Sequence, residues 1–247
     1  MKLEIILVIA TLVILLIALA WPRVHLPRRA GFEGIEDAKA AEAYDRISRW
    51  PQFRVLRRMT VRTLRKYRPT VTLVDIGCGP GRLTMLIARE FPQLNVLGLD
   101  TALEMVRVAN ANAASLGLSG RVEFREGDIA SLPIRDGTLD FAVSSLSLHH
   151  WSDPARGLAE IQRVLKPGGQ FLLFDLRRDA RRFFYLLMRF AQTVVVPSAL
   201  RNINEPLGSV QASYTPAEVE AQLSHSPFRK WKINAGVAWL FIWGSKS

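Results

Sequence analysis

The chain has 247 residues, of which 49% are hydrophobic and 22% charged, a balance that fits one globular domain and excludes a disordered polypeptide. Its formal charge of +11 calls for an acidic partner, with anionic lipid and nucleic acid as the two obvious classes. A single cysteine, Cys78, excludes an internal disulfide and a cysteine-rich metal site.

At the N-terminus, Ile5 to Trp21 is a run of 17 residues in which Thr11 is the one polar side chain. At about 1.5 Å per residue it covers roughly 25 Å, near the lower limit for crossing a bilayer. Trp21 sits where an interfacial aromatic would, and Arg23, Arg28 and Arg29 follow it. That positive flank predicts an anchor with the rest of the chain cytoplasmic. The competing reading is a cleaved signal peptide ending near Ala18-Leu19-Ala20. Glu4 offsetting Lys2, the early Pro22 and the length of the run weigh against it.

Between Arg46 and Arg68 stand nine basic residues and no acid. From Trp50 to Tyr67 the residues Phe53, Leu56, Met59, Leu64 and Tyr67 recur at roughly helical spacing, with arginines filling much of the remainder. This is a basic amphipathic helix. Its cations are either a solvated face of a packed helix or a contact for anionic headgroups beside the anchor. No recognition motif or stacking pattern accompanies them, so nucleic acid is not expected.

Val71 to Ile76 is an apolar, β-branched strand that runs into Gly77-Cys78-Gly79-Pro80-Gly81 and a helix from Arg82 to Glu90. Strand-like and helix-like segments then alternate: a strand over Leu94 to Leu99, a helix over Ala102 to Leu116 closed by Gly117, and a strand over Arg121 to Arg125. Next come a strand over Leu139 to Ser145, a helix from Asp153-Pro154 to Leu165, a turn at Lys166-Pro167-Gly168-Gly169 and a strand over Gln170 to Phe174. Such repetition predicts a doubly wound, mainly parallel sheet, whose ligands bind at the carboxyl ends of the strands. Asp75, Asp100, Asp128 and Ser144 all fall at or just past strand ends.

An acid closing the second strand, Asp100, can accept hydrogen bonds from both hydroxyls of a ribose. Asp128-Ile129 can accept from an exocyclic amine and pack on a purine face. The glycine loop then lies against whatever the adenosine carries. A dinucleotide loop reads G-x-G-x-x-G and faces a pyrophosphate; here the spacing is Gly77-x-Gly79-x-Gly81, with Asp75 just before it. A carboxylate there suits an amino-bearing, cationic ligand such as S-adenosylmethionine better than a nicotinamide dinucleotide.

The series Val74-Asp75-Ile76-Gly77-Cys78-Gly79-Pro80-Gly81, Gly98-Leu99-Asp100, Gly127-Asp128-Ile129, Leu132-Pro133, Asp136-Gly137-Thr138-Leu139-Asp140 and Leu165-Lys166-Pro167-Gly168-Gly169 occurs in order. It resembles the motif series of class I S-adenosylmethionine-dependent methyltransferases, especially the ubiquinone/menaquinone-type methylases, from about Tyr44 to Asp175. The resemblance implies a Rossmann-like α/β sheet of seven strands ending in an antiparallel hairpin, which Lys230 to Ala235 and Val237 to Trp243 can supply. Thr215-Pro216-Ala217-Glu218 reads as a capping box opening the helix before it.

Carried over by residue, the resemblance places Gly77, Gly79 and Gly81 along the methionine part of the cofactor, with Asp75 positioning the loop. It gives Asp100 the ribose, Met105 the adenosine, Asp128 and Ile129 the adenine, and Ser144 a place near the methionine end. Tyr44 lies in a segment resembling the family's cofactor cover. His149 and His150 follow the fourth strand and are candidates for a base, or else structural histidines. Cys78 reads as a packing residue of the loop.

Two features depart from the family pattern: the anchor, and the segment Arg177 to Gly208, which opens with Arg177, Arg178, Arg181 and Arg182 before an apolar run. That segment is either a lid over the pocket or an interfacial helix with arginines at headgroup level. The chain thus divides into an anchor over 1–21, a basic linker and amphipathic helix over 22–69, and a methyltransferase domain over 70–247 with an insertion at 177–214. The expected activity is methyl transfer from S-adenosylmethionine to a small hydrophobic or lipid-like acceptor at a membrane. A NAD-dependent oxidoreductase and a tethered, non-catalytic cofactor-binding scaffold are the rivals.

Overall fold

The computed structural model describes residues 4, 6, 20–29 and 35–247. The anchor expected over Ile5 to Trp21 therefore lies outside the described residues apart from Ile6, Ala20 and Trp21. Among the described residues no helix is long and apolar enough to cross a membrane.

The alternation expected from the sequence is present. The strands are β1 (Thr72–Ile76), β2 (Asn95–Asp100), β3 (Val122–Glu126), β4 (Leu139–Ser145), β5 (Leu165–Leu176), β6 (Lys230–Ala235) and β7 (Trp239–Ser245). They form one sheet in the order β3-β2-β1-β4-β5-β7-β6. The first five run parallel, and β7 lies antiparallel between β5 and β6. Successive side chains of a strand face opposite sides of its sheet. Leu73, Phe141, Val143, Leu172 and Phe174 accordingly enter one core, and Val74, Ile76, Ala142 and Leu173 the other. Both faces are covered, which is why the central strands read as unbroken apolar runs.

Helix α3 (Arg82–Glu90) follows β1, α4 (Leu103–Ser115) follows β2, and α5 (Pro154–Val164) joins β4 to β5. Asp153 caps α5 by accepting from the Arg156 N–H at 3.0 Å. The expected turn at Lys166–Gly169 is absorbed into β5: Leu165 still pairs with Leu139, and the register shifts before Gln170 pairs with Phe141. The hairpin strand β7 starts at Trp239 because the Gly236 N–H donates to the Trp239 carbonyl and closes the turn between them.

Ahead of the sheet lie α1 (Ala38–Ser48) and the basic helix α2 (Pro51–Lys66). Val61 and Leu64 of α2 are buried in the sheet's own core, with Leu56 and Met59 packed against it. Tyr67 stacks on Trp243 of β7, ring centroids 5.2 Å apart. Arg54, Arg58, Arg62, Arg65 and Lys66 point outward. The helix is a wall of the domain with a solvated cationic face.

Helix α1 is latched by one carboxylate. Asp45 accepts from Arg82 Nε at 2.9 Å, Asn112 Nδ2 at 3.0 Å and Arg49 at 2.6 Å, tying α1 to α3 and α4. Asn112 also donates to the Pro80 carbonyl of the glycine loop at 3.0 Å. Burial opposes ionisation of Asp45, but the bonds from Arg49, Arg82 and Asn112 outweigh it and hold its pKa below the usual carboxylate value.

After β5 the insertion contains α6 (Arg182–Val194), α7 (Ser198–Arg201) and α8 (Leu207–Ala212), and α9 (Pro216–Ser224) leads back to β6. The capping box at Thr215 and Glu218 is formed. Removing Asp45 leaves Arg82 and Asn112 without their shared acceptor. Asp45→Ala is expected to lose about 3 kcal/mol of stability in urea unfolding and to raise amide exchange over residues 38–48. Unchanged exchange there would show that α1 is held by something else.

Candidate active site

The carboxyl ends of β1, β2 and β4 open into a cavity of about 650 Å³, within the size range of small-molecule sites. Of the residues expected to hold the cofactor, Tyr44, Gly77, Gly79, Asp100, Met105, Asp128 and Ile129 line it. Asp75, Gly81 and Ser144 do not line it.

The glycine loop is shaped by its backbone. Gly77 and Gly79 have φ of +68° and +52°, a region that L side chains rarely adopt. A Cβ at Gly77 would sit 2.2 Å from Ser147 Oγ, so that position has no room for a side chain. The loop is fastened to the end of β2: the Gly79 N–H donates to Asp100 Oδ2 at 2.7 Å and the Ala102 N–H to Asp100 Oδ1 at 3.0 Å. Each oxygen keeps acceptor capacity for a ribose hydroxyl. Burial pushes the Asp100 carboxyl above its ordinary pKa. Further along, Asp128 is exposed at the mouth, its Oδ1 accepting from the Ala130 N–H at 2.8 Å, and Ile129 is buried beside it. Ribose acceptor, adenine-edge acceptor with apolar neighbour and bare glycine loop succeed one another along the cavity. That donor and acceptor set fits S-adenosylmethionine.

Three expected site residues do not line this cavity, although Asp75 lines a smaller pocket beside it with Tyr44, Gly77 and Leu146. Asp75 is buried with Oδ2 accepting from Thr84 Oγ1 at 2.6 Å, so it pins α3 to β1, and burial pushes its pKa up to about 7. Gly81 (φ +73°) turns the chain into α3, and a Cβ there would meet the Phe124 ring at 2.5 Å. Ser144 is buried in the middle of the sheet, where its hydroxyl has no hydrogen-bond partner among the described residues. Cys78 is buried, and burial pushes its thiol well above the ordinary pKa, which suits a packing residue.

Opposite the glycine loop, the one-turn helix Leu148–His150 presents His149. Asp175, at the end of β5, accepts from the His149 backbone N–H at 2.9 Å and contacts its Nδ1 at 2.7 Å. Since an ionised carboxylate only accepts, Nδ1 carries the proton and the neutral ring has its lone pair on Nε2. Nε2 is buried with no partner among the described residues. Burial alone would depress the imidazolium, but Asp175 outweighs it and holds the pKa of His149 above the ordinary value. His150 also lines the cavity, its ring 4.1 Å from that of His149.

The insertion roofs this end. Ile203, Glu205, Pro206 and Ser209 line the cavity, and burial pushes the Glu205 carboxyl up while Ser209 Oγ donates to it. Sequence reasoning missed Glu205 and Ser147, which carry no motif. Asp175 was missed as well, though it stands at a strand end as Asp100 does.

Residues 74–173 match the family model described as a methyltransferase domain. A demethylmenaquinone methyltransferase of Porphyromonas gingivalis is 28% identical over 182 residues, covering 72% of this chain and 73% of that protein. An uncharacterised transposon protein of Streptomyces fradiae is 41% identical over 119 residues, 48% of this chain, and the match spans only 34% of that protein's length. Among solved structures, a SAM-dependent methyltransferase from Aquifex aeolicus superposes with a TM-score of 0.63 at 20% identity, covering 85% of this chain and 99% of that one. The [4+2]-cyclase SpnF superposes with a TM-score of 0.58 at 18% identity, covering 90% and 99%. Likeness at that identity shows the fold alone.

Gly77→Ala forces both a strained φ and a clash with Ser147. It is expected to weaken S-adenosylmethionine binding at least about tenfold by calorimetry. Gly137→Ala, equally strained but with nothing within 4 Å of its added Cβ, serves as the control and leaves affinity intact. Equal loss in both would place Gly77 outside the binding surface.

Proposed function

We propose that this chain, an S-adenosylmethionine-dependent methyltransferase on the class I fold, methylates a small hydrophobic acceptor that must give up a proton as it reacts. The observation that carries this reading is His149, oriented by Asp175, its buried Nε2 without a partner among the described residues, in the wall of a cavity whose other lining includes Phe53, Leu146, Ile203 and Pro206. Bound along the glycine loop, S-adenosylmethionine supplies a methyl group on a positively charged sulfur.

The residues of the chain do the remainder. Asp100 and Asp128 fix the ribose and adenine ends, and Gly77 and Gly79 let the backbone approach what lies between them. Asp175 keeps the imidazole in the Nδ1–H tautomer and stabilises the positive ring that forms when Nε2 takes the acceptor's proton. Tyr44, half-buried on the latched helix α1, lines the cavity beside Gly79 of the loop. Methyl transfer from a sulfonium depends mainly on alignment, so this constellation suffices.

Relatives named as demethylmenaquinone methyltransferases support a quinone-like acceptor, which would be resident in or close to a membrane. The apolar run Ile5 to Trp21 with its arginine flank supports a single anchor that keeps the domain at the cytoplasmic face. Incubating the full chain with methyl-labelled S-adenosylmethionine and membranes from cells lacking it is expected to move label into the lipid extract. Label confined to protein or water-soluble products would refute the hydrophobic acceptor, and release of a shortened protein on fractionation would refute the anchor.

The base must be neutral to act, so activity rises with pH through the pKa of His149. Because Asp175 raises that pKa, the midpoint of kcat/KM should lie above the ordinary histidine value of about 6.5 and fall in Asp175→Asn. His149→Gln should lower kcat about 10²- to 10³-fold with S-adenosylmethionine affinity unchanged. A pH profile unmoved by Asp175→Asn would remove His149 from the role of base.

A further inference from the structure

We infer that helix α6 is an interfacial helix that lays its outer face on an anionic phospholipid bilayer, making a second membrane contact beside the N-terminal apolar run. The inference goes beyond the proposed reaction but rests on its placement at a membrane.

The first observation is a second apolar side of α6, turned to solvent. At about 100° per residue, Leu186, Phe190 and Val194 share one side of α6 with Leu187 beside them. All four are exposed, Phe190 to 59% and Val194 to 65%. The side turned to the protein carries the half-buried Phe184, Met188 and Ala191 together with Gln192. Gln192 Nε2 donates to Asn204 Oδ1 at 2.9 Å, and Gln192 Oε1 accepts from the Leu207 N–H at 2.9 Å. No residue of the helix is buried. A helix serving only as a lid needs one apolar side, and exposing four large apolar side chains on the other in water forfeits their transfer free energy.

Charge complementarity gives the second observation. Arg182 and Arg189 flank the apolar side on one edge and are exposed. Arginines edging an apolar stripe place guanidinium groups at headgroup level while the stripe enters the acyl region.

The third observation is where the chain arrives. Residues 22–29 form a strap bound along the insertion. The Arg182 N–H donates to the Pro22 carbonyl at 2.9 Å, the Val24 N–H to Ala180 at 3.0 Å and the Arg29 N–H to Gln211 at 3.1 Å. Arg181 Nη1 donates to the Trp21 carbonyl at 3.1 Å, and Arg178 Nε to Leu26 at 2.8 Å. The covalent chain of the apolar run therefore joins the body at the first turn of α6. Trp21 is itself 38% exposed there. The same strap reaches the site, since Arg28 lies over the Tyr214 ring at 4.1 Å and contacts the His149 carbonyl at 3.4 Å. Insertion residues 203–209, which roof the cavity, pack beside α6, so a bilayer under α6 lies next to that roof.

The test uses the full chain in proteoliposomes of phosphatidylcholine with phosphatidylglycerol. A nitroxide on Phe190→Cys is expected to lose access to a water-soluble nickel complex and gain access to oxygen. One on Arg229→Cys, at the opposite end of the sheet, is expected to stay in water. The double variant Leu187→Asp, Phe190→Asp should keep its S-adenosylmethionine affinity, while a label on Arg189→Cys in that background regains nickel access at least about tenfold. A position-190 label that stays in water in proteoliposomes overturns the inference even if the protein remains membrane-bound and transfers methyl groups. Shielding that appears without lipid and grows with protein concentration, the mark of a second copy on that face, overturns it too.

Discussion

The site hangs on Asp100. A parallel sheet brings the carboxyl ends of neighbouring strands to one edge, but it does not hold the loops that leave them. Asp100 does so: its oxygens accept from Gly79 in the loop after β1 and from Ala102 at the start of α4. The Cys78 N–H adds a bond to the Leu99 carbonyl, and the Gly127 N–H one to the Asp100 carbonyl. The end of β2 thus fixes the loops of β1 and β3. A carboxylate so placed spends part of its acceptor capacity on the backbone and offers the rest to a ligand, and its burial is tolerated because charge-assisted bonds partly compensate desolvation. Without that clamp the glycine loop would have conformational freedom that binding would have to remove.

The second half of the cavity is built from parts distant in sequence. Helix α1 arrives over the glycine loop because Asp45 is shared by Arg82 and Asn112. The strap at residues 22–29 lies on the insertion, which in turn covers His149 and Asp175. The insertion is therefore both a lid, through Ile203, Glu205 and Pro206, and an exposed apolar helix, through α6. The roofing residues come from 203–209, and no residue of α6 lines the cavity.

Much of the α/β frame was legible because its signals are local. Glycines with left-handed backbone, strand-end acids and a capping box each act over a few residues. The role of Gly81 was less legible than that of Asp75, which was expected to position the loop. Both stand inside the most recognisable motif, yet Asp75 bonds Thr84 and Gly81 makes room for Phe124. A motif marks where a loop is built, and some of its residues hold the frame of the loop itself. Ser144 shows the same limit, since strand position alone does not say which side of the last turn faces the cavity. The strap, Glu205 and the partner of His149 depend on contacts spanning large sequence separations, which no periodicity records.

In the proposed reaction the cavity at the ends of β1 and β2 takes S-adenosylmethionine. Isothermal titration of the full chain with S-adenosylmethionine and, separately, with NAD tests it most directly. Saturable binding of the first at one site per chain, lost in Asp100→Ala, with no binding of the second, is the expected result. Binding of NAD without S-adenosylmethionine, or S-adenosylmethionine binding indifferent to Asp100→Ala, would contradict it.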